Sequence, residues 1–313
     1  MRNKDRKLAK QIEVALSSFE KSDAPLPGIE QNENREVFIQ QIIESVRRVK
    51  YVSVLAQRQI SDLRVDPTSD LFDPLRAAIV CQRRELVDDA YWFVFQFVHF
   101  GKSKKNGWRL ARDVYGGLSY VTWDWKSVNS DPKGFRRWLA KHENTLRGDD
   151  GISRSFGNHR KYESLSGMAD TGTGAAVESY VKWVEPFKSH ENLMKEALKK
   201  CDGDPKRTFN YLFHSMDQVM RFGRTAKFDY LCMIGKLGLA PIEPDATYMA
   251  GATGPLSGAR LLFETSAMAA FSSSDLEELS GKLAAKLGIG MQAMEDALCN
   301  WQKSPAKFAR FRG

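Results

Sequence analysis

The segment "PIEPDATYMAGATG" holds a single aspartate, Asp245, between two prolines and a glycine-rich stretch. Pro241 and Pro244 restrict the backbone that leads to this carboxylate. An ionised carboxylate in a fixed position can stabilise positive charge that develops on a sugar, or it can activate a water molecule. An aspartate directly after a proline also suits a helix N-cap, and the two roles are compatible. Asp245 is therefore our first candidate for catalysis.

A basic turn, "RFGRTA", stands between two helical patterns, and its Gly223 precedes Asp245 by 22 residues. Glycine permits close approach of another chain, and the amides that open the next helix, near Ala226, can bind a phosphate. A plain corner between two helices would explain the same letters. The DNA-contact residues that we predict here are Arg221, Gly223, Arg224, Thr225 and Lys227.

Two further segments, "GKSKKNGWRLAR" and "FGNHRKYES", combine cationic, polar and aromatic side chains, as a DNA backbone and a stacked base require. The alternatives are a lysine-rich helix C-terminus and a solvated loop. The predicted DNA contacts are Lys102, Lys104, Lys105, Arg109, Arg160 and Lys161, and Trp108, Asn158 and Tyr162 are assigned to a base pocket. His159 is a candidate acid–base group because histidine titrates near neutral pH, although a lone histidine also fits a structural role.

Three other positions complete the candidate site. Trp123 and Trp125 in "YVTWDW" could wall a base pocket, but aromatic residues at this density also suit a core. Glu178 places a carboxylate on an apolar helical face, where it could reach a sugar hydroxyl or a water, or simply face solvent. Tyr248, three residues after Asp245, is assigned to the base pocket.

Composition narrows the partners. The 313 residues include 47 basic and 39 acidic side chains, and the formal charge of +8 suits a polyanion or an ordinary basic surface. Four scattered cysteines form no metal-ligand pattern, so we predict no metal. Glycine spacing in "GATGPLSGARLLF" matches no nucleotide-binding fingerprint, and no cofactor is predicted. We expect no membrane association and a cytoplasmic location, since no apolar run is long enough to span a bilayer.

Helical periodicity dominates the chain, and the expected fold class is all-α with two helical lobes and a basic cleft. One helix is predicted over about 75–100, and "SDLE" at Ser274–Glu277 predicts a capping box for a helix that Gly288 ends. We predict an N-terminal helical extension over 1–74 and a main domain over 75–313. The glycine- and serine-rich residues near 150–175 are a candidate lobe boundary.

The turn and the later aspartate resemble the helix–hairpin–helix DNA glycosylase superfamily. Five blocks between about His99 and Phe263 sharpen this likeness: "HFGKSKKNGWRLARDVYG", "FGNHRKYESL", "GTGAAVESYVKWV", "GRTAKFDYLCMIGKLGLAPIEPD" and "GATGPLSGARLLF". Together they resemble the bacterial family labelled α-glutamyl/putrescinyl thymine pyrophosphorylase, clade 3. They are also similar to an anti-phage glycosylase that removes glucosylated hydroxymethylcytosine.

The resemblance implies a helix–hairpin–helix fold that flips out and excises a bulky modified base from double-stranded phage DNA, with no obligate protein partner. It also implies an alternative, a transferase that replaces pyrophosphate on a modified thymine with an amino acid or polyamine. Arg221 stands where the usual hairpin has its first glycine. "GRTA" lacks the lysine that strand-cutting glycosylases use as an amine nucleophile, which favours excision without strand cleavage.

Overall fold

The computed structural model describes residues 3–160, 162–265 and 270–309. Those ranges contain fourteen α-helices and no β-strand, which confirms the all-α class. The helices are α1 Asn3–Ser22, α2 Asn32–Ala56, α3 Pro74–Arg83, α4 Val87–Phe100, α5 Arg109–Tyr115, α6 Trp125–Ser130, α7 Pro132–Asn144, α8 Thr173–Val184, α9 His190–Lys200, α10 Pro205–Ser215, α11 Arg224–Leu237, α12 Thr253–Phe263, α13 Ser273–Leu287 and α14 Met291–Trp301. Within these ranges no helix has the length and apolar character needed to cross a membrane.

The chain divides into two compact units. The first unit joins the two ends of the sequence, Met1–Leu55 and Pro244–Arg312, and the second is the continuous segment Ala56–Glu243. The boundaries predicted at residue 74 and near 150–175 both lie inside the second unit, and the two units meet in the sequence at residues 55–56 and 243–244.

The first unit is built around the close packing of α12 against α14. A β-carbon on Gly258 would lie 2.3 Å from the carbonyl oxygen of Leu298, so this position of the helix pair requires glycine. Phe38 of α2 packs on Trp301 of α14 with ring centroids 4.9 Å apart, and both side chains are buried. These long-range contacts explain why the N-terminal helices belong with the C-terminal ones.

The second unit has an aromatic core centred on α4. The side chains of Tyr91, Trp92 and Phe95 are buried, and Trp92 Nε1 donates to the carbonyl oxygen of Trp123 at 2.8 Å. The single helix predicted over 75–100 is wrong: α3 ends at Arg83 and α4 begins at Val87. Glu85 adopts a left-handed backbone (φ 59°) between them, a conformation that ends a helix.

The predicted capping box of α13 is displaced by two residues. Ser272 and Asp275 form it reciprocally, so the side chain of Glu277 is not used at the helix start. The predicted end of the helix is confirmed, because Gly288 takes the left-handed conformation (φ 64°) at its C-cap. This shift leaves Glu277 available for the contacts described below.

Two buried histidines predict how stability depends on pH. Burial, together with the charges of Arg160 and Arg221, lowers the pKa of His99 to about 3, and burial lowers the pKa of His190 against the opposing effect of Asp88. Both folded-state pKa values therefore lie below the unfolded value of about 6.5, so the unfolded chain binds more protons as the pH falls. Stability should be full above about pH 6.5 and decline below it, by at most about 1.4 kcal/mol per pH unit for each histidine.

Urea unfolding at pH 7 and pH 5 measures this decline. In His99→Gln the free energy of unfolding should change less between the two pH values than in the wild type. In His214→Gln, a change at a mostly exposed ring, it should change as much as in the wild type. Equal slopes for the wild type and His99→Gln would contradict the assignment.

Candidate nucleic-acid interface

The turn between α10 and α11 is anchored from two sides. The ring of Phe222 stacks on Phe95 of α4 at 4.9 Å with an interplanar angle of 2°. The amide of Met220 donates to Ser179 Oγ of α8 at 2.8 Å. The turn is therefore held firmly in one position.

Arg221 adopts a backbone conformation that glycine would favour. Its φ is 65°, in the left-handed region that residues with a β-carbon rarely adopt. The guanidinium secures this conformation, because Nε donates to Glu163 Oε2 at 2.9 Å and Nη2 donates to the carbonyl oxygen of Tyr162 at 3.3 Å. The turn is thereby tied to the loop that contains Tyr162.

Gly223 leaves the start of α11 open. It is the N-cap residue, and a β-carbon there would meet no described heavy atom within 4 Å. The first amides of a helix lack intrahelical partners, and they carry the positive end of the helix dipole. Thr225 is exposed, and Arg224 is half-buried with its guanidinium 4.7 Å above the Phe228 ring. This helix start can accept a phosphate group.

Lys227 does not share this exposed position. Only 6 % of its surface is accessible, its Nζ forms an ion pair with Asp217, and the same atom lies 4.0 Å above the Phe213 ring. The prediction that Lys227 contacts a phosphate is therefore corrected: it braces α11 against the preceding segment.

Two loops lie near the C-terminal end of α4, and one of them contacts the turn between α10 and α11. The Gly157 amide donates to the Phe100 carbonyl at 2.8 Å, and Ser155 Oγ lies 2.8 Å from Ser103 Oγ, which joins the loop after α4 to the segment before α8. Arg160 is buried: its Nε donates to the Val98 carbonyl at 2.9 Å.

Arg160 also pairs with Asp229 of α11 at 3.3 Å, so it positions the loop and is not itself a surface contact. The predicted residues that are at least partly exposed on these joined segments are Lys102, Lys104, Lys105, Asn158, Tyr162, Arg221, Gly223, Arg224 and Thr225, and we call this set the basic face. Arg109 lies partly exposed at the start of α5, next to the first loop.

The three tryptophans assigned to a base pocket lie in the core of the second unit. Trp108, Trp123 and Trp125 are at most 9 % exposed. Trp108 packs on Phe97 at 5.3 Å, and Trp125 packs on His190 at 4.4 Å. Their surfaces are covered by protein, so the base-pocket prediction for them is corrected in favour of the core alternative.

Glu178 is also engaged within the protein. Its carboxylate accepts from Lys182 Nζ at 2.8 Å and from Arg136 Nη1 at 2.6 Å, and both bonds lower its pKa. Arg136 in turn donates to the carbonyl oxygens of Gly167 and Met168. Glu178 thus supports the segment before α8. His159 lies in a short helical turn, and its side chain, like the whole of Lys161, falls outside the described residues.

Asp245 lies in an irregular segment and not at a helix start, because α12 begins at Thr253. The predicted N-cap role is therefore wrong. Asp245 is exposed, and its Oδ1 accepts a hydrogen bond from the Tyr248 hydroxyl at 2.6 Å. Tyr248 has a left-handed backbone (φ 54°), which is rare for an aromatic residue and marks a constrained segment.

Glu277 of α13 holds this segment in place. Its Oε1 accepts from the amide and the hydroxyl of Thr247, and its Oε2 accepts from the Met249 amide at 2.7 Å. The donors flank Tyr248 on both sides, so one carboxylate fixes the backbone on which the Asp245–Tyr248 pair depends. Glu277 was not predicted as a site residue, because its spacing from Ser274 indicated a capping box.

No cluster of three or more His, Cys, Asp or Glu side chains within the described ranges could hold a metal ion. The second unit thus carries the basic face, and the first unit carries the braced carboxylate–phenol pair.

Residues 33–313 match the family described as alpha-glutamyl/putrescinyl thymine pyrophosphorylase clade 3. The match covers most of the chain, and the protein belongs to this family. No curated protein and no solved structure gives a significant match.

Proposed function

We propose that this protein is a DNA glycosylase that excises a bulky modified base, such as α-glucosyl-hydroxymethylcytosine, from phage DNA. The observation that carries the proposal is the basic face. It combines the open start of α11 at Gly223 with Arg221 and Arg224 of the same turn and with Lys102, Lys104 and Lys105 of the loop after α4. Backbone amides and arginines of this kind bind DNA phosphates without reading sequence.

The proposed chemistry centres on Asp245. The target nucleotide is extruded from the stack, and the bond between C1′ and the base nitrogen breaks. Positive charge develops on the deoxyribose, which the Asp245 carboxylate stabilises. The oxygen of a water molecule then bonds to C1′, and its proton is taken up by Asp245 and passed on to the departing base. The hydrogen bond from Tyr248 fixes the carboxylate orientation that this step needs.

The products on the DNA strand test this chemistry. Incubation with glucosylated phage DNA should yield free modified base and intact strands with abasic sites. Because Lys227 is buried against Asp217, we expect no covalent complex after borohydride reduction. Strand cleavage with a trapped protein–DNA complex would contradict the proposed mechanism.

The grip on DNA can be tested separately at Arg224. Arg224→Glu should weaken DNA binding and reduce the slope of log K against log salt by about 0.9, the loss of one phosphate contact. Filter-binding titrations over a range of salt concentrations measure both effects. Lys195→Glu is the matched control, since Lys195 on α9 pairs with Glu191 and lies outside the basic face. An unchanged slope for Arg224→Glu would remove the hairpin from the interface.

The family description favours a second candidate function, a transferase that acts on a modified thymine in DNA. Such an enzyme would release pyrophosphate and attach an amino acid or polyamine, and the strand would keep its base. Assays for pyrophosphate and for aminated thymine on a pyrophosphorylated DNA substrate distinguish this reaction from excision.

A further inference from the structure

A cavity of about 680 Å³ lies within the second unit, between the α5–α6 loop and the segment that follows α7. Its volume is in the range of small-molecule sites. Arg112, the last residue of the basic segment "GKSKKNGWRLAR", is among the residues that line it.

One wall is a chain of paired charges. Arg154, whose side chain is 2 % exposed, donates to Asp113 at 2.5 Å and to Asp150 at 2.8 Å. Arg112 contacts the other oxygen of Asp113 at 3.0 Å and pairs with Asp70 at 2.5 Å. Each guanidinium already has carboxylate partners, so this wall offers fixed donors and acceptors without an unpaired positive charge for an anion.

A second part of the cavity lining is an aromatic platform. Tyr120 is 78 % exposed and stacks on His142, with centroids 5.6 Å apart and an interplanar angle of 25°. The loop that presents Tyr120 is unusual, since Gly117, Leu118 and Ser119 all have positive φ values of 52°, 54° and 72°. Successive left-handed residues with β-carbons are strained, and such strain is found at functional sites.

The same loop is held firmly. The Trp123 amide donates to the Tyr115 carbonyl at 2.7 Å, and a β-carbon on Gly117 would lie 2.8 Å from Val121 Cγ1. The platform is therefore formed before any ligand arrives, which lowers the entropy cost of binding.

These two walls define the chemistry of a ligand. A phosphate would need a cation that is not already paired, and an apolar ring would leave the charged wall unsolvated. A neutral ring rich in hydroxyl groups fits both walls, because each hydroxyl can donate to an aspartate and accept from an arginine, and the C–H face of the ring can cover Tyr120. Thr122, which also lines the cavity, offers a further hydroxyl partner.

A hydrogen bond joins the segment that lines the cavity to a loop of the basic face. Ile152 and Arg154 line it, and the intervening Ser153 accepts a hydrogen bond from Asn106 Nδ2 at 3.2 Å. Asn106 belongs to the loop that carries Lys104 and Lys105. We propose that this cavity binds the hexose carried by the modified base, with Tyr120 as the stacking platform. This inference rests on the proposed function, since it assigns the site that recognises the adduct.

Two experiments test the site. Saturation-transfer NMR with methyl α-glucoside should give signals with the wild type and with Tyr120→Phe, which keeps the ring, but not with Tyr120→Ala. In competition assays, the preference for DNA with glucosylated hydroxymethylcytosine over DNA with hydroxymethylcytosine should fall about tenfold in Tyr120→Ala. Affinity for unmodified DNA should stay that of the wild type.

Absence of glucoside signals from the wild type, or signals that survive in Tyr120→Ala, would overturn the assignment. Displacement of the glucoside by cytidine alone would do the same, because it would identify the ligand as the base and not its sugar. The NMR result does not require base release. Failure of the glycosylase proposal therefore appears as a wild type that releases no base, whatever the outcome for the glucoside.

Discussion

Asp245→Asn is expected to reduce base release by about 10³-fold or more, which corresponds to about 4 kcal/mol of lost transition-state stabilisation. The variant keeps the size of the side chain and an oxygen that can accept from Tyr248, but it loses the negative charge that the developing sugar cation requires. Single-turnover base release, measured with saturating protein, isolates this chemical step. DNA affinity and the thermal midpoint should remain close to those of the wild type, because Asp245 is exposed.

Glu243→Gln is the matched control for this change. Glu243 is an exposed carboxylate two residues earlier, and it lies 3.9 Å from Lys206. It should release base at the wild-type rate. Near-normal release by Asp245→Asn would refute the assignment and direct attention to Glu178, Glu243 or His159. An equal loss in both variants would point to the charge of the whole segment.

Glu277→Ala should produce the second largest loss, about 10- to 100-fold in the rate of base release, with unchanged DNA affinity. Removal of the carboxylate leaves the Thr247 and Met249 amides without their acceptor, so the backbone that bears Tyr248 loses its fixed position. A displacement of about 1 Å at a catalytic group costs up to about 10²-fold. Hydrogen exchange should show faster exchange of these two amides in Glu277→Ala.

The conservative variant separates positioning from a general loss of stability. Glu277→Gln keeps an oxygen for both donors of Thr247, but it presents an amide to Met249, so its rate should lie between those of the wild type and Glu277→Ala. Glu278→Gln, at a neighbouring residue whose carboxylate pairs with Lys282, should behave as the wild type. Unchanged exchange at Thr247 and Met249 in Glu277→Ala would show that Glu277 does not hold the segment.

The sequence predicted the helical class because apolar residues recur at helical spacing in segments such as α2 and α7. It could not predict the break between α3 and α4. Glu85 adopts a left-handed backbone there, and the turn is closed by a hydrogen bond from the Leu86 amide to the Cys81 carbonyl at 2.9 Å. No glycine or proline marks this position, so the apolar periodicity predicted one uninterrupted helix.

The site shows the same limit at the level of side chains. "RFGRTA" identified the turn correctly, but α11 begins at Arg224 and not near Ala226, and Lys227 then faces Asp217 and not solvent. Likewise, the capping box lies two residues earlier than predicted, and Glu277 instead accepts hydrogen bonds from Thr247 and Met249 in the Asp245 segment. Such outcomes depend on which face of a helix is covered by distant parts of the chain, and local patterns do not contain that information.

The most direct measurement is mass spectrometry of the small molecules released when the purified protein acts on DNA containing α-glucosyl-hydroxymethylcytosine. We expect the intact glucosylated base in solution, equimolar with abasic sites in the DNA, and neither product with Asp245→Asn. DNA that keeps all its bases, or that releases pyrophosphate and gains an amine when pyrophosphorylated thymine is supplied, would contradict the glycosylase assignment.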